Sequence, residues 1–401
     1  MSTSSSHLTH DPSMITLILL TSFAAAGAMF LTPALPLMAA SLAITAEHVQ
    51  LVVSVYLAGY ALGMLPYGPF ANRYGRKPTL YFGLVLAIIG ALISVIAGSF
   101  QLFNWLVFGR LVTAVGASVG LKIAYTIVGD LYSHGQATKK IATLMLGFPV
   151  ASAVSMTIGG FLTQHTGWIG SLYALVIYGI LLLVLSMRLP ETAPELDPHA
   201  LHVKKMVRGY AREVFHWPMI LCSLQVGMTC SILYVFAAKA PFLVIDVLGI
   251  RPDVYGTFSF LPALGQATGL SLSIYCAHRL HQLQAMFIGV CALNLAIILF
   301  VLSFWFFGFS LLTFLLPVPL MFMGNSLVTS NATAYALVMS HKKSYASALV
   351  NSLGLCIASG GVCFSNTLNF QNHWMVPQFF GAAALLALMW WVVLYWRALK
   401  S

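Results

Sequence analysis

Three basic side chains, Arg110, Lys122 and Lys239, sit inside long apolar stretches of the chain. A charge at the centre of a membrane-spanning helix costs about 2.5–3.5 kcal/mol, so a base kept there faces a wet cavity or a partner. These three are therefore the first candidates for ligand binding or coupling. Arg110 offers a planar, two-pronged donor that suits a carboxylate, and each lysine offers a compact point charge. Lys122 follows Arg110 by ~18 Å along a helix and ~120° around it, so one compact ligand does not touch both, whereas a bulky or moving one does. The competing readings are structural pairing for Arg110 and snorkelling to opposite membrane surfaces for the two lysines.

The acids are distributed differently. All nine, Asp11, Glu47, Asp130, Glu191, Glu195, Asp197, Glu213, Asp246 and Asp253, fall in connections or near the ends of apolar runs. Exchange of a proton for a cationic cargo needs a buried carboxylate that binds either one, and the pattern lacks it. A hollow with bases and no acid attracts anions. The expected cargo is thus a carboxylate-bearing small molecule: an organic acid, a polycarboxylate siderophore or an amphiphilic acidic metabolite. Tyr56, Tyr60, Gln225, Gln266, Asn325 and Asn331 are candidates to complete the cavity, although mid-membrane amides and tyrosines also simply bond neighbouring helices.

Other chemistry finds little support. His278 and His281 lack a third metal ligand, so no metal is expected. No Gly-rich phosphate loop is present, which leaves gradients or exchange as the energy source, and no cofactor is implied. A nucleophile, base and orienter do not occur together, so an enzyme is not expected.

The elements that must position these residues follow from composition. Of 401 residues, 60% are hydrophobic and 7% charged, against roughly 25% charged in an ordinary soluble domain. Apolar runs at 14–38, 50–70, 79–100, 102–131, 140–163 and 168–189, then 219–248, 253–277, 285–306, 308–339, 345–370 and 374–396, each approach the ~20 residues a spanning helix needs. The fold class is all-α: twelve transmembrane helices in two six-helix bundles. The expected divisions are residues 1–189, a connection at 190–217 and residues 218–401. That connection is read as a solvated linker, with a short amphipathic helix as the alternative. The six cysteines fall in apolar runs and are read as buried, reduced thiols, and the N-terminal segment lacks the basic region and cleavage site of a signal peptide.

Basic residues fix the orientation. Arg73, Arg76, Lys77, Lys139, Lys140, Arg188, Lys204, Lys205, Arg208, Arg212, Arg279, Lys342, Lys343, Arg397 and Lys400 all occupy the gaps that an inside N-terminus places in the cytoplasm, and only Arg251 occupies the others. Both termini are expected in the cytoplasm. The net charge of +10 then reflects topology and implies no nucleic-acid partner. Gly116 to Gly120 and Gly265 to Gly269 have the spacing of close helix packing.

Between the second and third runs lies GPFANRYGRKP, residues 68–78. This segment resembles the signature loop of the major facilitator superfamily. The resemblance implies a conformational latch made of Gly68, Asn72, Arg73, Gly75, Arg76 and Lys77, with Asp130 as partner for Arg73. The family has an aspartate where this chain has Asn72, which brings no charge to a helix dipole, so a weaker latch is expected. PALP at 33–36, DLY at 130–132, Gly159-Gly160, LPET at 189–192 and Pro241-Phe242 resemble the Bcr/CflA drug-efflux branch. Arg110 matches the family's helix-four arginine, although Thr113 and Ala114 stand where a glutamine and a glycine are usual. The fifth run keeps only the end of the antiporter motif, at ASAVSMTIGG (151–160), with Pro149 upstream as the bend.

The resemblance implies a secondary transporter that works by alternating access, in the cytoplasmic (inner) membrane of a bacterium, as a monomer in lipid. With the anion-attracting pattern above, it predicts proton-linked movement of an anionic substrate. The rival expectation is a broad-specificity drug/proton antiporter.

Overall fold

The computed structural model describes residues 12–400 except 215, 278, 341–342 and 369–371, and among them every regular element is helical. The first six elements are α1 (Met14–Ser41), α2 (Ala46–Met64 followed by Tyr67–Tyr74), α3 (Arg76–Ser99), α4 (Phe103–Leu131), α5 (His134–Thr166) and α6 (Trp168–Ser186). The last six are α7 (Trp217–Val247), α8 (Pro252–Thr257 with Phe260–Ala277), α9 (Gln282–Phe307), α10 (Leu311–Met339), α11 (Lys343–Ser365) and α12 (Met375–Lys400). Among the described residues ten helices are long and apolar enough to cross a membrane, and α2 makes eleven when its two parts, bent by 41°, are taken as one span. The second part of α8 falls below that standard because Gln266, Thr268 and several serines dilute it; Gly265, Gln266 and Gly269 lie on its buried side, while Phe260, Leu264, Ile274 and Tyr275 are exposed on the other.

The helices leave their ideal course where the sequence demands it. Pro33 and Pro36 convert α1 to a 3₁₀ turn at Thr32–Ala34 before it resumes. In α7 the chain passes Pro241 and continues as a π-helix, Phe242–Val247. Pro149 lies inside α5 without ending it.

α3 and α4 are the most intimately packed pair, and their sequences explain it. Gly90 faces the Thr113 backbone, Gly116 faces Ala87, and Gly83 faces Val119, so a Cβ at any of these would collide with the partner helix. Gly120 likewise abuts the Leu20 carbonyl of α1, and Gly265 and Gly269 abut Pro319 and Met323 of α10, in line with the packing role their spacing predicts. In membranes such small-residue contacts replace the hydrophobic drive that water supplies elsewhere.

Helices α1 to α6 pack chiefly among themselves, as do α7 to α12, and the seam between the sets is made mainly by α2 against α11 and by α5 against α8. Two sequence expectations change here. Part of the connection expected to be solvated is a helix, Val203–Val214, whose register places Tyr210 against both sets. Of the cysteines, Cys222 and Cys276 are buried and Cys230 is partly so, but Cys291, Cys356 and Cys363 lie on outward faces; all six are unpaired.

Candidate functional site

At one end of the molecule, the Arg73 end, the signature loop is organised by one turn. Gly75 has φ +100°, a conformation that favours glycine, and it lets α3 start at Arg76 immediately after α2 stops at Tyr74. The turn sends Arg76 back toward α4, where its Nε lies 2.9 Å from Asp130 and its Nη1 donates to the Ala71 carbonyl (2.8 Å) and Asn72 Oδ1 (3.2 Å). The expected partner of Asp130 was Arg73; the structure corrects this to Arg76. Arg73, one turn earlier on α2, points to the connection and donates to the Pro198 carbonyl at 2.8 Å. Asn72 also meets the connection, its backbone carbonyl accepting from Asp197 N at 2.9 Å.

Glu191, an acid of the connection to which the sequence assigns no site role, belongs to the same turn. Its carboxylate accepts from the backbone N–H groups of Arg76 and Lys77, each at 2.9 Å, and of Thr192 and Ala193, each at 3.0 Å. The first two are the free donors at the N-terminus of α3, a place where a negative charge is favoured. Partial burial raises the carboxyl's pKa, but the four N–H donors outweigh it and the net shift is downward. Lys77 completes the turn by donating from Nζ to the Met187 carbonyl at 2.8 Å. The available signal was an acid shortly after α6, opposite a glycine-initiated helix.

Lys122 belongs to this end as well. Its stem passes beside Gly68, and it lines a polar cavity of about 90 Å³ with Asn72, Asp197, Tyr210 and Tyr345. Lys239 lies at the opposite, Glu47 end. Its Nζ donates to Asn366 Oδ1, in the turn just after α11, at 3.0 Å, and Asn366 Nδ2 donates to the Glu47 carbonyl of α2 at 3.2 Å. Ser359 to the Ser54 carbonyl (2.8 Å), Ser352 to Ala61 (2.8 Å), Thr157 to Gly256 (3.1 Å) and Ser259 to Ala153 (3.0 Å) also cross the seam.

Arg110 is buried in the first helix set. Nη2 donates to the Gly27 carbonyl of α1 at 2.6 Å, and the guanidinium stacks on the Tyr56 ring at 4.1 Å while Tyr56 Oη donates to the Ala24 carbonyl. Its Nε and Nη1 have no hydrogen-bond partner among the described residues. Tyr60 is buried one turn further along α2. Gln225 donates to Ala387 of α12 and Asn331 to Ser273 of α8, both at bonding distance, so these two amides tie helices together. Asn325 is buried on α10 with its Oδ1 unpartnered among the described residues.

Of the candidate amides, Gln266 lines a cavity on the seam. This cavity, about 40 Å³, lies where α1 and α5 meet α7, α8 and α10, and Met29, Phe148, Met156, Phe236 and Phe322 dominate its walls. No charged residue lines it. The expectation that Arg110, Lys122 and Lys239 share one electropositive hollow is therefore not met: the bases stand at three separate levels. Arg110 is held by Gly27 and Tyr56 inside the first helix set, Lys239 by Asn366 at the Glu47 end, and Lys122 lines the polar cavity at the Arg73 end. His281 is taken up as the cap of α9, accepting from Leu283 N, and His278 lies outside the described residues.

Known proteins share this architecture. The Major Facilitator Superfamily profile matches residues 17–365. The chain belongs to that superfamily of transporters. It is 24% identical over 388 residues, 90% of this chain and 91% of the other, to the bicyclomycin resistance protein homolog of Haemophilus influenzae. It is 25% identical over 325 residues, 80% of each, to multidrug resistance protein D of Escherichia coli. Among solved structures, the inward-open xylose transporter XylE of Escherichia coli superposes with a TM-score of 0.74 at 13% identity, over 94% of this chain and 95% of that one. The resemblance to the Bcr-type efflux branch that the motifs imply is thus shared by curated relatives.

Proposed function

We propose that this superfamily member is a secondary active exporter of amphipathic small molecules, working by alternating access. In this reading residues 1–189 and 218–401 form two six-helix bundles joined by residues 190–217. The twelve spans leave both termini in the cytoplasm, and the chain acts as a monomer in the cytoplasmic (inner) membrane of a bacterium. The one-sided distribution of lysine and arginine supports that orientation, which puts the Arg73 end inside. The bonds across the seam at the Glu47 end then belong to an outward-closed state.

The observation that carries the substrate reading is the uncharged, aromatic-lined cavity between the two helix sets. A site of that kind binds an apolar body and leaves orientation to a few polar groups. Resistance names among the relatives support efflux, and protons are the driving ion in this reading. A second reading, an anionic cargo such as an organic acid or polycarboxylate siderophore, keeps support from Arg110, whose Nε and Nη1 have no partner among the described residues and could donate to a carboxylate.

Proteoliposomes with an imposed pH gradient separate these readings. Gradient-driven movement of a cationic dye supports the drug-antiporter reading, whereas movement of a carboxylate dye that is lost in Arg110→Ala supports the anionic one. Transport of both dyes that ignores the gradient removes proton coupling from either.

A further inference from the structure

The polar groups in the walls of the seam cavity are not equally available. Ser152 donates its hydroxyl to the Phe148 carbonyl at 2.9 Å, one turn back along α5. Ser259 donates to the Ala153 and Gly256 carbonyls at 3.0 and 2.6 Å, closing α8 onto α5. Both hydroxyl protons are spent on the backbone. Gln266 is different: it is 8% exposed, lines the cavity, and its carboxamide makes no side-chain hydrogen bond among the described residues. Its carboxamide atoms are not sealed into the wall and stay accessible from the cavity, where a guest can pair with them. The carboxamide carries two donor hydrogens and an acceptor oxygen within one plane.

We propose that Gln266 is the residue that determines specificity in this cavity, and that it selects uncharged cargo bearing a carboxamide, lactam or imide group on an aromatic or aliphatic body. The inference rests on the cavity reading above and narrows its substrate class. A primary or secondary amide matches a glutamine side chain by giving one hydrogen bond and receiving another, which a hydrocarbon cannot do. A carboxylate accepts from the Gln266 amide but leaves its own charge in a wall without a cation, because Arg110, Lys122 and Lys239 lie elsewhere. Desolvation of that uncompensated charge disfavours it. Phe236 and Phe322, in edge-to-face contact at 5.4 Å, supply a rigid apolar wall for the rest of the molecule. In the state described, the cavity's ~40 Å³ holds no more than a few water molecules, so cargo enters only when α5 and α8 part.

The test is equilibrium binding of radiolabelled 2-naphthamide and 2-naphthoate to the full-length protein in lipid nanodiscs. Wild type is expected to bind the amide more tightly than the carboxylate. Gln266→Leu should weaken the amide about tenfold, the worth of one to two neutral hydrogen bonds, and leave the carboxylate within about twofold. Gln266→Met, closer to glutamine in shape, repeats the measurement should the leucine variant fold poorly. Equal changes for both ligands, or none, overturn the proposal. Phe236→Ala separates it from the cavity reading: if that variant loses the amide while Gln266→Met does not, the cavity stands and the role of Gln266 falls. If neither variant changes binding, or wild type binds neither ligand, both fall together.

Discussion

Arg76 and Asp130 form an ion pair at 2.9 Å, with the arginine side chain 8% exposed and the aspartate 18%. The pair joins the first turn of α3 to the last turn of α4, and Asp130 Oδ2 also accepts from Thr192 in the connection at 3.0 Å. Removing one partner of a largely buried pair leaves the other charge with its desolvation cost, and that cost decides the outcome. Asp130→Ala is expected to lower stability by about 1–3 kcal/mol in thermal unfolding of the purified protein. Arg73→Ala, which removes an exposed bond to Pro198 and a contact with the exposed Tyr74 ring, should change it by less than about 0.5 kcal/mol. Equal effects of the two would return Arg73 to the role that the sequence suggested.

Glu191 ties the same turn to the connection through backbone donors, and its depressed pKa gives the tie a pH dependence. The sign follows from linkage: the folded state holds the carboxylate better than the unfolded state, so the stabilisation is present above the unfolded value of ~4.3 and is lost as pH falls through the lower folded value. The difference in melting temperature between wild type and Glu191→Gln should be full at pH 7 and close only in acid. A difference that stays constant down to pH 3 would show that packing, not charge, is at work.

The Glu47 end is held by the Lys239–Asn366–Glu47 chain of bonds, which links α7, the turn just after α11, and α2. Gln50, buried near this junction, offers a reporter position. In a background with the native cysteines removed, Gln50→Cys should react with a membrane-impermeant thiol reagent several-fold faster when Asn366→Ala is added, because the seam then opens more often. Unchanged labelling would mean that the serine bonds along α2 and α11 suffice to hold it closed.

Much of the helical frame is legible in the sequence because lipid imposes one strong rule, a run of apolar residues as long as the hydrocarbon is thick. That rule locates α3, α4, α6 and α9 to within a few residues. It weakens for α8, where Gln266 and small residues face other helices, and it says nothing about which residue meets which. Arg73 and Arg76 are both plausible partners for Asp130 until the φ of Gly75 decides the direction in which α3 leaves. The helix Val203–Val214 was obscured because its polar face resembles an ordinary solvated connection. Convergence of the three membrane bases could not be judged at all, since it depends on rotation of each helix about its axis, set by packing partners far away in sequence.

Tyr210 bridges the two helix sets at the Arg73 end: its hydroxyl donates to the Leu65 carbonyl at 3.0 Å, and its ring meets Tyr345 of α11 edge-on at 4.8 Å. This contact adds to the direct bond between α2 and α11 there, Ser352 to the Ala61 carbonyl. Tyr210→Phe keeps the ring and loses one bond, so transport rate should change by no more than about fivefold. Tyr210→Ala removes both contacts and should change it more. The reverse order would place the function of Tyr210 in its hydroxyl alone.

Arg110 poses the clearest conflict between stability and use. A fully buried guanidinium with one hydrogen bond, one aromatic face, and Nε and Nη1 without a partner among the described residues is a costly way to fill space between α1, α2 and α4. Replacing a buried charge by an apolar side chain of similar length is often neutral or stabilising by about 1–4 kcal/mol. Arg110→Met is therefore expected to melt at the same temperature as wild type or higher, while gradient-driven transport in proteoliposomes falls by at least tenfold. A variant that melts lower and transports normally would make the arginine a packing element, held by Gly27 and Tyr56 for their sake alone. A variant that is stable and inactive would show that the cost of burying this charge is tolerated because the transport cycle uses it.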